Sequence, residues 1–138
     1  MKNSTFYLTL LVLVVSISLT SCGKGGGNTP SKTVIALFDS MKDKDFAKSA
    51  AMYVNGKGEK LSEEEAKKIE GLIGMGAKNY EKKGGLDKIT IDEEKINEDG
   101  NSAKVNFTIL YKNGKTEKDK MSLIKVNGKW MLKITSGF

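Results

Sequence analysis

The chain has 138 residues, no histidine, one cysteine and 23 basic side chains, all of them lysine, against 17 acids. Metal sites built on histidine and paired cysteines are excluded, and so is a disulfide within one chain. The lack of arginine, the side chain that forks onto phosphate and guanine edges, argues against a nucleic-acid partner. Acids alternate with the lysines almost throughout, so the basic excess describes a solvated surface.

Lys2 precedes an apolar run from Phe6 to Leu19, broken only by Thr9, Ser16 and Ser18. That is the layout of a secretory signal, and it is shorter than the roughly 20 apolar residues a membrane-crossing helix needs. It ends in Leu19-Thr20-Ser21-Cys22, small residues directly before a cysteine, which is the pattern a lipoprotein signal peptidase cuts. Cleavage between Ser21 and Cys22 would leave lipidated Cys22 as the first residue, and two or more acyl chains hold a protein stably at a bilayer. The expected address is a bacterial cell envelope. There the chain would be lipid-anchored, at the outer membrane since Gly23 is no inner-membrane retention signal, and would face the periplasm or the cell surface. Three parts follow: signal peptide 1–21, a Gly-rich tether 22–29, and one domain 30–138.

Within the domain, Thr29-Pro30 reads as an N-cap with proline at the first helical position, and Val34, Leu37, Phe38 and Met41 follow at helical spacing. Asp43 or Asp45 can cap a short second helix, with Phe46, Ala50 and Tyr53 on one face; Met52 to Val54 can instead form a brief extended segment. Ser62 and Glu65 form a capping box for a third helix. Its buried stripe is Ala66, Ile69, Ile73, Ala77 and Tyr80, and Gly84-Gly85 stops it. Gly71, Gly74 and Gly76 weaken that helix, and close packing against a sheet is the expected reason for them.

From Leu86 the period changes to two. Ile89 and Ile91 mark one strand; Val105, Phe107, Ile109 and Tyr111 the next; Ser122, Ile124 and Val126 a third; Trp130, Leu132 and Ile134 a fourth. Asp99-Gly100-Asn101, Asn113-Gly114 and Asn127-Gly128 supply the tight turns. Met121 and Leu123 make the third of these strands apolar on both faces, which predicts a central position or a bulge. Helices followed by a meander predict a two-layer α+β domain, N-terminal helices packed on a twisted antiparallel sheet.

Ala36-Leu37-Phe38 running on to Lys44-Asp45-Phe46, and the hairpin Val126-Asn127-Gly128-Lys129-Trp130, resemble the nuclear transport factor 2-like, or cystatin-like, cone fold. With the cysteine motif, the chain resembles small bacterial lipoproteins of unknown function carrying such a domain, some of them labelled lumazine-binding. The resemblance implies a cone whose mouth takes a small ligand or a partner. Enzymes of that fold commonly use an Asp with a His or Tyr, and this chain has no histidine. Phe38, Tyr53, Phe107, Tyr111 and Trp130 are the candidate pocket residues, since aromatic rings can stack on a planar ligand; filling the core is their other role. No catalytic residue, metal site or cofactor is predicted. The expected role is non-catalytic: a lipid-anchored module for a small molecule, a glycan or an envelope protein, with carboxylate and tyrosine acid-base chemistry or a structural role as alternatives.

Overall fold

The computed structural model describes residues 27–135; Ser21 and Cys22 lie outside them. Helix α1 (Pro30–Lys42) starts where expected, with the Thr29 side chain accepting the Lys32 N–H. Asp43 closes α1, Lys44 turns the chain with a positive φ of 59°, and Asp45 caps the short α2 (Phe46–Ala50). Tyr53 therefore does not extend the face of Phe46 and Ala50. It opens β1 (Tyr53–Val54), the brief extended segment, after the chain has left the helix. Helix α3 (Glu63–Lys82) carries the capping box, with Ser62 and Glu65 bonded in both directions.

Strands β2 (Leu86–Ile96), β3 (Ser102–Tyr111), β4 (Thr116–Val126) and β5 (Lys129–Lys133) form an antiparallel meander. β1 adds to β5 in parallel, giving the order β1-β5-β4-β3-β2. β4 is thus the central strand, as its two apolar faces require. Cross-strand partners share a face, so the pairs Ala103 with Leu123 and Val105 with Met121 assign β4's core side to Leu123 and Met121. The alternation of Ser122, Ile124 and Val126 belongs to the other face. There Ile124 and Val126 lie against Gly58 in the loop after β1, which is why two apolar residues are tolerated outside the main core.

The core sits between the helices and one face of the sheet. Phe38 of α1 meets Phe107 of β3 edge-on, ring centres 5.4 Å apart. Val34, Leu37, Ile109, Leu123 and Leu132 complete it, each almost wholly buried. Each fully buried side chain of this size contributes about 1.5–3 kcal/mol. Two hydroxyl sites cross the core without leaving an unpaired atom: Ser40 and Ser49 join α1 to α2 at 2.6 Å, and Thr33 donates to the Trp130 carbonyl at 3.0 Å. Thr33 Oγ1 also accepts the Gly27 N–H at 2.7 Å, and the Trp130 N–H bonds the Gly27 carbonyl. Gly27, assigned to the tether by sequence, is in this way paired into the sheet.

The glycines of α3 do not approach the sheet. A Cβ at Gly74 would meet the Phe46 ring of α2, one at Gly76 would meet Met41 of α1, and one at Gly71 would meet nothing within 4 Å. Gly74 and Gly76 thus face neighbouring helices and not the sheet, at distances that a Cβ would meet as ordinary contact. Nothing in the structure explains Gly71.

Candidate functional site

Because α3 lies mainly against α1 and α2, a cleft opens between it and the sheet. It holds about 350 Å³. Ile69, Leu72, Ile73 and Tyr80 line it from α3, Phe38 from α1, Tyr53 from β1, and Met121 and Ile134 from the sheet side. The walls are mostly apolar, with two phenols, Lys133 and Thr135 set into them, the composition usual for small-molecule sites. Leu72 stands at the rim, 49% exposed.

Of the five aromatic residues singled out from the sequence, Phe38 and Tyr53 line this cleft. Phe107 and Trp130 lie in the packed core, 0% and 3% exposed. Tyr111 lies behind the cleft, its ring 6.3 Å from that of Tyr80. Tyr80 in turn contacts Phe38 at 5.9 Å, so it joins the cleft wall to the aromatic core. Sequence spacing places Tyr80, Ile69 and Ile73 on a buried stripe but does not mark them as cleft residues. Leu72 and Met121 were missed in that role. A weaker signal for Leu72 was available: it lies three residues from Ile69 and four from Gly76, on the same side of α3.

Burial raises the Tyr53 phenol to about 12, and the nearby Tyr80 adds to this. Tyr80 is also pushed up, by burial first and then by the carboxylates of Asp119 and Glu117. Both phenols are protonated at neutral pH and present O–H donors. Tyr111, raised by burial and by its hydrogen bond to Glu117 at 2.7 Å, keeps its proton as well. Glu117 receives Lys83 at 2.8 Å in addition to Tyr111; those two bonds lower it, so it stays a carboxylate. Glu117 reaches this side because it faces Ile109 across the sheet, on the same face of β4 as Met121 and Leu123. The core face of β4 thus runs from apolar to acidic along its length.

A second, wider groove of about 630 Å³ follows another side of α3, between it and α2. Lys44, Lys67, Glu70, Lys78 and Glu81 line it together with Phe46, Met75 and Ala77, so it mixes charged and apolar groups. Among the described residues no group of three His, Cys, Asp or Glu gathers as a metal site, and no helix is long and apolar enough to cross a membrane.

Helices laid on one face of a curled meander, with a cleft between the last helix and the sheet, define the nuclear transport factor 2-like class of α+β domains. Residues 20–133 match a family model, and the chain belongs to that family, a domain of unknown function designated DUF4878. Among solved structures, the fold is similar to a Campylobacter jejuni protein described as a candidate NTF2-like transpeptidase. That alignment has a TM-score of 0.62 and 22% identity, covering 77% of this chain and 98% of the other. Weaker likenesses are to Aln2 from a Streptomyces species (TM-score 0.44, 18% identity, 74% and 81% covered) and to a de novo designed protein with a curved β-sheet (TM-score 0.45, 19% identity, 75% and 94% covered). At these identities the likenesses establish the fold alone. No curated protein matches the chain.

Proposed function

We propose that the chain is a lipid-anchored envelope protein whose domain binds a small, mainly apolar ligand in the cleft between α3 and the sheet. The observation that carries this reading is the cleft itself: about 350 Å³ walled by Phe38, Ile69, Ile73 and Met121, with the protonated Tyr53 and Tyr80 as donors. A ligand with a planar apolar body and a neutral hydrogen-bond acceptor fits these walls. Asp119 and Glu117 act against negative charge beside Tyr80, while Lys133, which lines the cleft, can take an acceptor away from that end. The anchor rests on the apolar run and Leu19-Thr20-Ser21-Cys22, and the site faces out of the cytoplasm on this reading.

Binding is favoured over turnover by the direction in which the titratable groups move. An acid-base catalyst works best with a pKa near the working pH. Here the three phenols are pushed up and Glu117 is pushed down, all away from neutrality. A glycan or an envelope-protein partner would meet the same cleft mouth at Leu72, and these are the outcomes to separate from a small ligand.

The test is native mass spectrometry of the chain from residue 23, purified gently, beside the same protein unfolded and refolded. Extra mass that is lost on refolding, and absent from Leu72→Glu, is the expected result. Leu72 is half exposed, so a carboxylate there changes the cleft mouth without entering the core. No bound mass, together with no fluorescence gain from the neutral probe N-phenyl-1-naphthylamine, would discard the ligand. Separately, an intact mass of the cell-derived protein without added lipid on Cys22 would discard the anchor.

A further inference from the structure

We infer that the end of the domain carrying Gly27, the start of α1 and the β4–β5 turn lies on an anionic lipid surface, held there by Lys32, Lys125 and Lys129. This rests on the lipid anchor proposed above. Gly27 is five residues on from Cys22, a reach of at most roughly 18 Å at about 3.3–3.6 Å per residue. Gly27 is where the chain is fixed: its carbonyl accepts the Trp130 N–H and its own N–H bonds Thr33. The sheet end at Gly27 is therefore the part of the domain that an anchor on Cys22 holds nearest the bilayer.

The chemistry of that end matches an anionic bilayer. Lys125 pairs with Trp130 across β4 and β5, and its ammonium sits 5.7 Å from the Trp130 ring centre with its head exposed. Trp130 and Leu132 face the core, so Lys125 lies on the helix side of the sheet while Lys129 lies on the other. Lys32 is exposed in the first turn of α1. The acids at this end are Glu94, engaged by the Ser31 N–H and hydroxyl, and the exposed Glu98 and Asp99 of the β2–β3 turn, whose Asn101 carbonyl accepts the Lys125 N–H; Lys95 and Lys104, paired across β2 and β3 at the same end, add positive charge against them. Attraction between lysines and anionic headgroups acts within a Debye length, about 8 Å at physiological salt, so it operates only on an end already held close. Tyr111, Glu117 and Lys83 lie at the other end of β3 and β4, so the acidic end of the core face points away from the lipid.

The experiment uses the lipidated full chain, its added mass on Cys22 first confirmed, bound to vesicles of phosphatidylglycerol and phosphatidylcholine in equal parts. Lysines are labelled with an amine-reactive reagent and quantified by peptide mass, against the same protein in neutral detergent. Labelling of Lys32, Lys125 and Lys129 is expected to fall several-fold on these vesicles, and to recover on phosphatidylcholine alone or in high salt. Lys67 and Lys78 on α3 should label equally throughout. The double variant Lys32→Glu/Lys129→Glu alters side chains outside the core and should abolish the salt-sensitive protection of Lys125. Lipidated protein that labels equally everywhere, or is protected at Lys67 and Lys78 instead, overturns this orientation and leaves the anchor standing. Protein without lipid mass overturns the anchor itself, and the orientation with it.

Discussion

Tyr53 shows how much one side chain's surroundings decide. At its position between β1 and the cleft, burial moves the phenol from 10.0 to about 12. The folded protein therefore holds this proton more tightly than the unfolded chain does. The stability linked to it is fully present below pH 10 and is lost as the pH rises through about 12. Tyr53→Phe removes that loss. Its alkaline unfolding midpoint, followed by circular dichroism, should move to higher pH than wild type, while the profile below pH 9, roughly one unit under the ordinary phenol pKa, should keep its shape. An unchanged alkaline midpoint would mean that Tyr53 is hydrated in the folded state. The same position marks a limit of sequence reading. An aromatic ring can fill a core or stack on a ligand, and the sequence named Tyr53 and Phe38 with both roles open. Whether a ring closes the core, as at Phe107, or borders a cleft, as at Tyr53, depends on what the facing element leaves uncovered, and that facing element is distant in sequence.

Local chemistry made most of the elements legible. Thr29-Pro30 and Ser62 with Glu65 mark helix starts because their side chains satisfy N–H groups that a helix leaves unpaired. Asn127-Gly128 marks a hairpin because both residues adopt positive φ, 49° and 79°. Two features were not legible. β4 has apolar residues on both faces, so period two alone leaves the core side ambiguous; pairing with Ala103 and Val105 resolves it in favour of Leu123 and Met121. The glycines of α3 suggested a close neighbour, and the three positions differ in what they meet. Gly71 faces open space, and alanine there should stabilise the protein by about 0.5–1 kcal/mol through the entropy glycine loses in a helix. Gly84 is the opposite case: its φ is +122° and a Cβ would collide with the Asn113 side chain. Gly84→Ala should lose stability and loosen the bond from Asn113 to the Lys83 carbonyl. Urea unfolding of the two variants should move in opposite directions, and a Gly71→Ala variant no more stable than wild type would show that this surface of α3 is already occupied.

At the scale of the whole molecule, the domain buries its apolar surface unevenly. α1 is buried along its length against the sheet, whereas α3 buries one side on α1 and α2 and leaves Leu72 and Met75 exposed at 49% and 69%. A fold selected for stability alone would close α3 onto Met121 and Ile134 and leave no cleft. Proteins keep such unfilled, partly solvated sites where function needs them, and filling one commonly yields about 0.5–2 kcal/mol with a loss of activity. Met121→Phe applies this here. Met121 is half-buried on the core face of the central strand and borders the cleft, so a larger ring at that position has the cleft to grow into. If the cleft holds a ligand, Met121→Phe should raise the midpoint of unfolding for ligand-free protein and remove both the co-purifying mass and the binding of N-phenyl-1-naphthylamine. The natively purified variant would then gain less than the refolded one, because wild type already carries the stabilisation its ligand supplies. If the domain is a scaffold, the two preparations should gain equally. The difference between these gains, measured by thermal unfolding before and after refolding, separates a binding cone from a structural one.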